Sequence, residues 1–389
     1  MKGRTIKDAN LRLIISLTLL AFCAGGFVFN AERCTEVIGK LALMSASTVL
    51  PTGADFGIGG DMSETLPDVT GDMQVSTTED TTQAATTANA ETDGDDGLQF
   101  SATPDDIRQM MLKYEKTADK DKKGGKISEQ TYKSSGVTDS YGRVRVKNVN
   151  DTGINIKKLL GEKADLDIKD KSKPTVLIFH THTTETYQPL DRNFYSKNYQ
   201  PRTNDSSMNM VRVGVAVKEE LEKAGYNVIH DTTVYDYKYN GAYTRSREAV
   251  EKHLKEHPEI QIVLDVHRDA IQLNDGTKIK PVCEIDGKKC AQIMIISGCQ
   301  ESGNGITGFE DWEENLTFAV QLQDKLEENF EGITRPLYFS PRKYNMDMSH
   351  CSVLLEMGSD ANTLEEAVYS GKCLGVALAD LMKEYTNDT

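Results

Sequence analysis

The carboxy-terminal half of the chain alternates short apolar runs with segments of helical periodicity, and this pattern limits the possible fold more than any other feature. Four apolar runs have the length of buried strands: residues 176–179, 226–229, 260–266 and 353–356. Four segments have the periodicity of amphipathic helices: residues 208–223, 245–256, 312–329 and 363–385. This alternation predicts an α/β sheet with helices packed on it, over residues 171–389. A hairpin across Asp286-Gly287 is also predicted, pairing residues 281–285 with 292–296.

Three of the predicted strands end in side chains that can bind a metal ion or carry a proton. The first is followed by His180, His182 and Glu185, the second by His267, and the third ends in Glu356. Because ligands of open α/β sheets bind at the carboxyl edge of the strands, we expect these residues to meet. A single histidine at a strand end is more often a structural residue. The occurrence of such side chains at three strand ends together is what indicates a functional site.

Two imidazoles and one carboxylate suit zinc, and three protein ligands leave a fourth position open for water. Glu356 follows an apolar run, so we expect burial to raise its pKa and suit it to act as general base. Strand alternation places His180 and His182 on the same side. Either can then bind the metal, while the other supports a ligand or contacts substrate. The pattern favours a zinc-dependent hydrolase.

The amino terminus has the character of a membrane segment. Residues 1–12 contain four basic side chains, and residues 13–29 form an uncharged apolar run that is long enough to cross a bilayer. We interpret residues 1–12 as cytoplasmic and 13–29 as a single-pass transmembrane anchor or a signal peptide. The prediction is a protein of the cell membrane with its catalytic domain outside the cytoplasm.

The net charge of −15 is concentrated in one part of the chain. Residues 41–107 contain thirteen Asp and Glu and no Lys or Arg, so the remainder is close to neutral. Residues 30–102 are predicted to be a disordered acidic linker, the alternative being a poorly patterned folded domain. Residues 103–170 are expected to form an adaptor or partner-contact region. The acidic balance and the lack of a basic stripe argue against nucleic acid as a partner.

The residues at the strand ends carry a resemblance to a known family. The block His180-Thr-His-Thr-Thr-Glu185-Thr-Tyr and the later block Leu-Leu-Glu-Met-Gly-Ser-Asp-Ala-Asn at 354–362 resemble the stage II sporulation protein P (SpoIIP) family over residues 143–385. The domain is similar, more distantly, to zinc N-acetylmuramoyl-L-alanine amidases through Asp265-Val-His267 and Leu355-Glu356-Met-Gly. The resemblance implies an amidase-like (phosphorylase/hydrolase-like) sheet with flanking helices.

The resemblance also implies a function. Members of the family are membrane-anchored peptidoglycan hydrolases that act on the septal wall during sporulation and engulfment, beside SpoIID and SpoIIM. The implied reactions are cleavage of the amide between N-acetylmuramic acid and L-alanine and cleavage of stem-peptide cross-links. The carboxylate ligand that opens a helix in the amidases has no counterpart near Ser206, which makes Glu185 the better candidate. Comparison with the amidases favours His182 as ligand, and the opening position of the block favours His180.

Two further points stay open from the sequence. Arg268, Arg202 and Asn204 are candidates for binding substrate, since guanidinium groups recognise carboxylates bidentately. The alternative to an enzyme is a catalytically silent module with the same fold that binds peptidoglycan or serves as a septal scaffold. Glu356 and an occupied metal site are the features that distinguish the two.

Overall fold

A computed structural model describes residues 100–118, 120, 122–300 and 306–386. The predicted anchor at 13–29 and nearly all of the predicted linker at 30–102 lie outside the described residues. Within those described, no helix has both the length and the apolar character needed to span a bilayer.

The elements whose full range is described are six α-helices, twelve strands and one short 3-10 helix, Met346–Met348. In chain order the α-helices and strands are α1 (Asp105–Ala118), β1 (Lys123–Gln130), β2 (Asp139–Tyr141), β3 (Val144–Asn148), α2 (Ile156–Gly161), β4 (Pro174–Phe179), β5 (Phe194–Ser196), α3 (Met210–Lys223), β6 (Asn227–His230), α4 (Ala242–Glu256), β7 (Ile262–Asp269), β8 (Lys278–Ile285), β9 (Lys288–Ala291), β10 (Ile293–Gly298), α5 (Trp312–Asn329), β11 (Leu337–Ser340), β12 (Cys351–Ser359) and α6 (Leu364–Lys383). This confirms the predicted α/β class.

The larger sheet has eight strands in the order β2-β3-β11-β10-β12-β7-β4-β6. Strands β12, β7, β4 and β6 run parallel to one another, whereas β10 is antiparallel to β12. Phe179 is the register partner of Asp265, and His267 is the register partner of Glu356. The carboxyl ends of β4, β7 and β12 therefore lie side by side at one edge, as the sequence predicted.

Helices cover both faces of this sheet. Along β4, Val176 and Ile178 belong to the main core together with residues of α3, α5 and α6. The alternate residues, Leu177 and Phe179, pack in a second cluster with Val250 of α4. Burial on both faces explains why β4 is a continuous apolar run, since neither set of alternating side chains meets solvent.

A smaller sheet has the order β5-β1-β8-β9, and it corrects the predicted hairpin. The turn at Asp286-Gly287 is present, with φ angles of 50° and 72°, but the partner of β8 is β9. Residues 292–296, expected as the second arm, belong mainly to β10 in the larger sheet. All residues of β10 are buried, because β10 lies in the interior of the larger sheet between β11 and β12.

The segment before residue 171 contributes to both sheets. Strand β1 pairs with β8, and β3 pairs with β11. Val144 and Val146 of β3 are fully buried. The role of residues 103–170 as a partner-contact region stays a prediction.

Candidate active site

The first strand end of the site is a turn. Strand β4 stops at Phe179 and residues 181–184 turn away from the sheet. His180, His182 and Glu185 are all buried in this short segment. Because the segment is not extended, the alternation expected for a strand does not hold, and the two histidines have separate sets of neighbours.

His180 is fully engaged by the protein. Its Nδ1 lies 2.8 Å from the carbonyl oxygen of Val266, and its Nε2 lies 2.9 Å from Nε2 of His230. Gly214 of α3 leaves room for this pair, since a Cβ there would lie 2.5 Å from His230 Nε2 and 2.8 Å from His180 Nε2. Burial lowers the pKa of His180 to about 4. Both ring nitrogens therefore have partners.

His182 faces a different set of rings. It stacks on Tyr239, with ring centroids 4.9 Å apart and planes within 5°, and meets His267 edge-on at 5.3 Å. Its Nδ1 is buried and has no hydrogen-bond partner. Burial, followed by the positive charges of His267 and Arg202, lowers the pKa of His182 to about 3. At neutral pH this imidazole is uncharged, which is the form that binds metal ions.

His267 lies between two carboxylates. Its Nε2 forms an ion-pair contact of 2.7 Å with Oδ1 of Asp265, and its Nδ1 is 3.7 Å from Oε2 of Glu185. Burial alone would lower the pKa of His267, but Asp265 and Glu185 outweigh it and raise the pKa to about 9. The side chain of Asp265 also accepts hydrogen bonds from the backbone N–H and hydroxyl of Thr181.

Asp265 was not among the residues predicted for the site. The signal for it was present, because it stands two positions before His267 on the same strand, and residues i and i+2 of a strand share a face. Burial opposes ionisation of Asp265, but His267 and Thr181 prevail and lower its pKa. A permanent negative charge is therefore fixed beside the imidazole.

Glu356 reaches the same place from β12. It is the register partner of His267 on the neighbouring parallel strand, so the two side chains point to the same face of the sheet. Its Oε2 is buried without a hydrogen-bond partner. Burial, followed by the negative charge of Asp269, raises the pKa of Glu356 to about 8. This is the desolvated carboxyl that the preceding apolar run predicted.

Arg202 braces the outer side of the cluster. Its guanidinium contacts the carboxylate of Asp236, and its Nη2 lies 3.5 Å from Oε1 of Glu185. The guanidinium carbon is 5.2 Å from the centroid of the Tyr239 ring. Arg202 therefore connects Glu185 to the aromatic ring that covers His182.

The other two residues predicted to bind substrate lie in different surroundings. Arg268 is buried and donates hydrogen bonds to the carbonyl oxygens of Thr186, Pro201 and Asp269. Its guanidinium is thus engaged by the protein's own backbone. Asn204 is exposed on the loop before α3. A contact of either residue with substrate stays a prediction.

The donor atoms of the cluster suit zinc in kind. Two ligand atoms of a tetrahedral zinc ion lie about 3.4 Å apart, and Nδ1 of His267 and Oε2 of Glu185 are 3.7 Å apart. The carboxylate of Asp265 on the opposite ring nitrogen is the partner that metal-binding histidines usually have. Buried atoms without partners on His182 and Glu356 also require an explanation, which a ligand would supply.

The site is nevertheless not preformed. In the part of the chain that the structure describes, no three His, Cys, Asp or Glu side chains are arranged to hold a metal ion. Metal binding here would require side-chain movement and the loss of a proton from His267.

Comparisons with known proteins support the resemblance that the sequence suggested. The family model described as "Stage II sporulation protein P (SpoIIP)" matches residues 76–379. The chain is 28% identical over 206 residues to stage II sporulation protein P of Bacillus subtilis (strain 168), covering 50% of this chain and 47% of the relative. It thus spans about half the length of that relative.

The solved structures that are similar to the chain include two amidases. One is the CwlD amidase from Clostridioides difficile, in complex with the GerS lipoprotein, with a TM-score of 0.33, 12% identity and coverage of 54% of this chain and 97% of that one. The other is the catalytic domain of CwlV, an N-acetylmuramoyl-L-alanine amidase from Bacillus (Paenibacillus) polymyxa, with a TM-score of 0.31, 14% identity and coverage of 55% and 97%.

Proposed function

The chain belongs to the stage II sporulation protein P family, and from this premise we propose that it is a zinc-dependent peptidoglycan hydrolase of sporulating cells. The proposed reactions are hydrolysis of the amide between N-acetylmuramic acid and L-alanine and hydrolysis of stem-peptide cross-links. One observation carries the proposal: two imidazoles and two carboxylates from three adjacent strand ends meet in a buried cluster.

The proposed metal ligands are His182, Glu185 and His267. His180 is proposed as a support, since both its ring nitrogens already have partners. When bound, zinc supplies Lewis acidity and lowers the pKa of a water molecule. Asp265 holds the imidazole of His267 in orientation, and Arg202 does the same for the carboxylate of Glu185.

Glu356 is the proposed acid–base residue. Its carboxylate takes a proton from the attacking water and delivers it to the leaving nitrogen as the amide bond breaks. The raised pKa serves both halves of this transfer, because a group that titrates near the working pH both accepts and donates a proton readily.

We further propose that the enzyme works outside the cytoplasm, anchored in the cell membrane through residues 13–29. This region lies outside the described residues, so the support for it is the apolar sequence alone. Partners of the SpoIID and SpoIIM type are proposed on the same family basis.

The test is to measure bound zinc in the purified chain and the release of muropeptides from isolated peptidoglycan. We expect Glu356→Gln to keep its zinc and to lose about 10²- to 10⁴-fold in rate. Glu220→Gln is the matched control, since Glu220 is a buried glutamate that pairs with Lys223 on α3, outside the cluster. An unchanged rate in Glu356→Gln would show that another group carries the proton.

One observation favours the alternative of a silent binding or scaffold module, namely that the described side chains do not form a ready metal site. The zinc measurement decides between the two. A wild-type chain that binds no zinc and releases no muropeptides would be a scaffold, and the enzymatic proposal would then be wrong.

A further inference from the structure

Asp236 is a buried aspartate to which the proposed reaction gives no role. It lies in the loop of residues 231–241 between β6 and α4, and its side chain is fully enclosed by the protein. A carboxylate that leaves water is unfavourable unless hydrogen-bond donors and an opposite charge compensate for the lost hydration. The groups that do so for Asp236 surround Glu185, so the loop is connected to a candidate zinc ligand.

Thr184 supplies the hydrogen-bond donors. Its backbone N–H donates to Oδ1 of Asp236 at 3.1 Å, and its hydroxyl donates to Oδ2 at 2.5 Å. Thr184 directly precedes Glu185 in the turn that follows β4. The carboxylate of Asp236 is therefore attached to the backbone of the turn that carries the candidate ligand.

Arg202 supplies the opposite charge, and its guanidinium lies between two carboxylates. Nη1 donates to Oδ2 of Asp236, whereas Nη2 is 3.5 Å from Oε1 of Glu185. The contact with Asp236 is the shorter of the two. Because the attraction between opposite charges falls with distance, Asp236 holds the guanidinium more strongly than Glu185 does.

The loop that carries Asp236 is itself held in place by α4. Arg245 donates from Nε to the carbonyl oxygen of Tyr235 at 2.6 Å and from Nη1 to that of Asn240 at 3.2 Å. Its Nη2 donates to the carbonyl oxygen of Lys238. These three hydrogen bonds fix the loop on both sides of the aspartate. The carboxylate thus stays where it is when the guanidinium moves.

The carboxylate of Glu185 must keep an oxygen available to bind zinc. Oε2 is the oxygen beside Nδ1 of His267, at 3.7 Å, and Oε1 is the oxygen that faces Arg202. Arginine commonly binds both oxygens of a carboxylate through two parallel N–H groups. Without Asp236, the guanidinium would be free to form this bidentate pair and would then occupy Oε2 as well.

We propose that Asp236 is a positioning residue that withholds the guanidinium of Arg202 from Glu185. The carboxylate of Glu185 is thereby kept available to the metal ion. The inference rests on the proposed function for the identity of that metal. Asp236 acts through Arg202, so removal of the arginine should cancel the effect of removing the aspartate. A residue that only supports the fold would show no such cancellation.

The test measures the zinc affinity of the full chain, by competition with a chelator, for Asp236→Asn, Arg202→Gln and the double variant. The asparagine oxygen can still accept from the N–H of Thr184, so Asp236→Asn keeps the turn and releases the guanidinium. We expect Asp236→Asn to bind zinc about 10- to 100-fold more weakly than the wild type. The double variant should bind zinc within about 2-fold of Arg202→Gln alone.

Asp347→Asn controls for the loss of an aspartate that pairs with an arginine. The side chain of Asp347 is nearly buried and contacts Arg247 of α4 at 2.8 Å, outside the cluster. This variant should bind zinc as the wild type does.

A second measurement does not depend on zinc. In a crystal structure of metal-free Asp236→Asn, two nitrogens of the Arg202 guanidinium should each lie about 2.7–2.9 Å from an oxygen of Glu185. In the wild type, a single contact of 3.5 Å joins these side chains.

The outcomes separate this inference from the proposed function. Wild-type zinc affinity in Asp236→Asn, or a double variant as weak as Asp236→Asn, would overturn the inference even if the wild type hydrolyses peptidoglycan. Recovery of zinc affinity in the double variant of a chain that releases no muropeptides would uphold the inference and refute the enzymatic proposal. If the wild type binds no zinc, the proposed function fails, and the crystal structure still decides whether Asp236 withholds the guanidinium. A guanidinium that keeps its distance from Glu185 in Asp236→Asn would show that it does not.

Discussion

Replacing Asp265 by asparagine changes the charge beside His267 and retains the local hydrogen bonds. The asparagine oxygen can still accept from the N–H of Thr181, which lies 2.8 Å from Oδ1 of Asp265. Its amide group can face the Thr181 hydroxyl, now 2.7 Å from Oδ2. The variant therefore isolates the effect of the negative charge on zinc binding.

The magnitude follows from the proton that zinc must displace. With a pKa of about 9, His267 is protonated at pH 7, and loses the proton as the pH rises. Zinc affinity of the wild type should thus increase by about 50-fold between pH 7 and pH 9, or about 2.3 kcal/mol. In Asp265→Asn the pKa of His267 falls, because burial is then opposed only by the carboxylates of Glu185 and Glu356, so the affinity should change less over this range.

A second effect lowers the affinity of the variant at every pH. Loss of the carboxylate behind a metal-binding histidine typically costs about 10- to 100-fold. The two effects nearly cancel at pH 7, and the variant should be clearly weaker at pH 9. Competition with a chelator of known zinc affinity at pH 7, 8 and 9 measures both.

Asp347→Asn is the matched control, because Asp347 is an aspartate with a nearly buried side chain that pairs with Arg247 and Lys343 outside the cluster. It should reproduce the wild-type slope. If wild-type affinity is flat with pH, or if Asp265→Asn keeps the full slope, the assignment of His267 as a zinc ligand held by Asp265 is refuted.

Three further predictions concern ligands, packing and pH. His182→Ala should reduce zinc affinity by at least about 100-fold, whereas His180→Ala should lower it far less, and equal losses in chelator competition would contradict the choice of His182. Gly375→Ala should lower the free energy of unfolding by about 1–3 kcal/mol, since its Cβ would lie 2.8 Å from the carbonyl oxygen of Val217. Gly161→Ala, which has open space around its Cβ, should leave the free energy of unfolding unchanged, and denaturant unfolding of the two variants measures the difference. Burial lowers the pKa of His230 to about 3 in the folded chain, against 6.5 in the unfolded chain. As the pH drops below about 6.5 the unfolded chain gains the proton first, so the free energy of unfolding should fall. A His230→Asn variant whose unfolding midpoints show the same pH slope would disprove this contribution.

The positions of the strands could be predicted because burial leaves a direct mark on sequence. Strand β7 is buried on both faces. Its apolar run, residues 260–266, identified the strand and also His267, which comes directly after the run. The same logic failed at β10, because an apolar run shows that a strand is buried and does not show which strand lies beside it. The turn at Asp286-Gly287 was read correctly, but β9 is too short and polar to be recognised as its second arm.

At the site, the sequence predicted which strand ends lie together, and it could not predict the contacts between their side chains. The separation of His180 from His182 depends on a turn that begins directly after Phe179, and on Gly214 of a helix more than thirty residues later. Neither leaves a periodic pattern. Asp265 was missed for a different reason. A single acidic residue inside an apolar strand departs from the strand pattern, and its contact with the imidazole of His267 is visible only in the structure.

The long-range pairing of the first strands determines when a newly made chain can become active. Strand β1 cannot pair until its partner residues 278–281 have been synthesised, and Val146 of β3 cannot pair until Leu337 has been synthesised. Glu356 follows later still, on the last strand to be made. A nascent chain that ends before residue 356 therefore lacks the proposed proton carrier and a completed larger sheet. The proposed hydrolase therefore stays inactive until residue 356 has been synthesised and β12 has paired with β7.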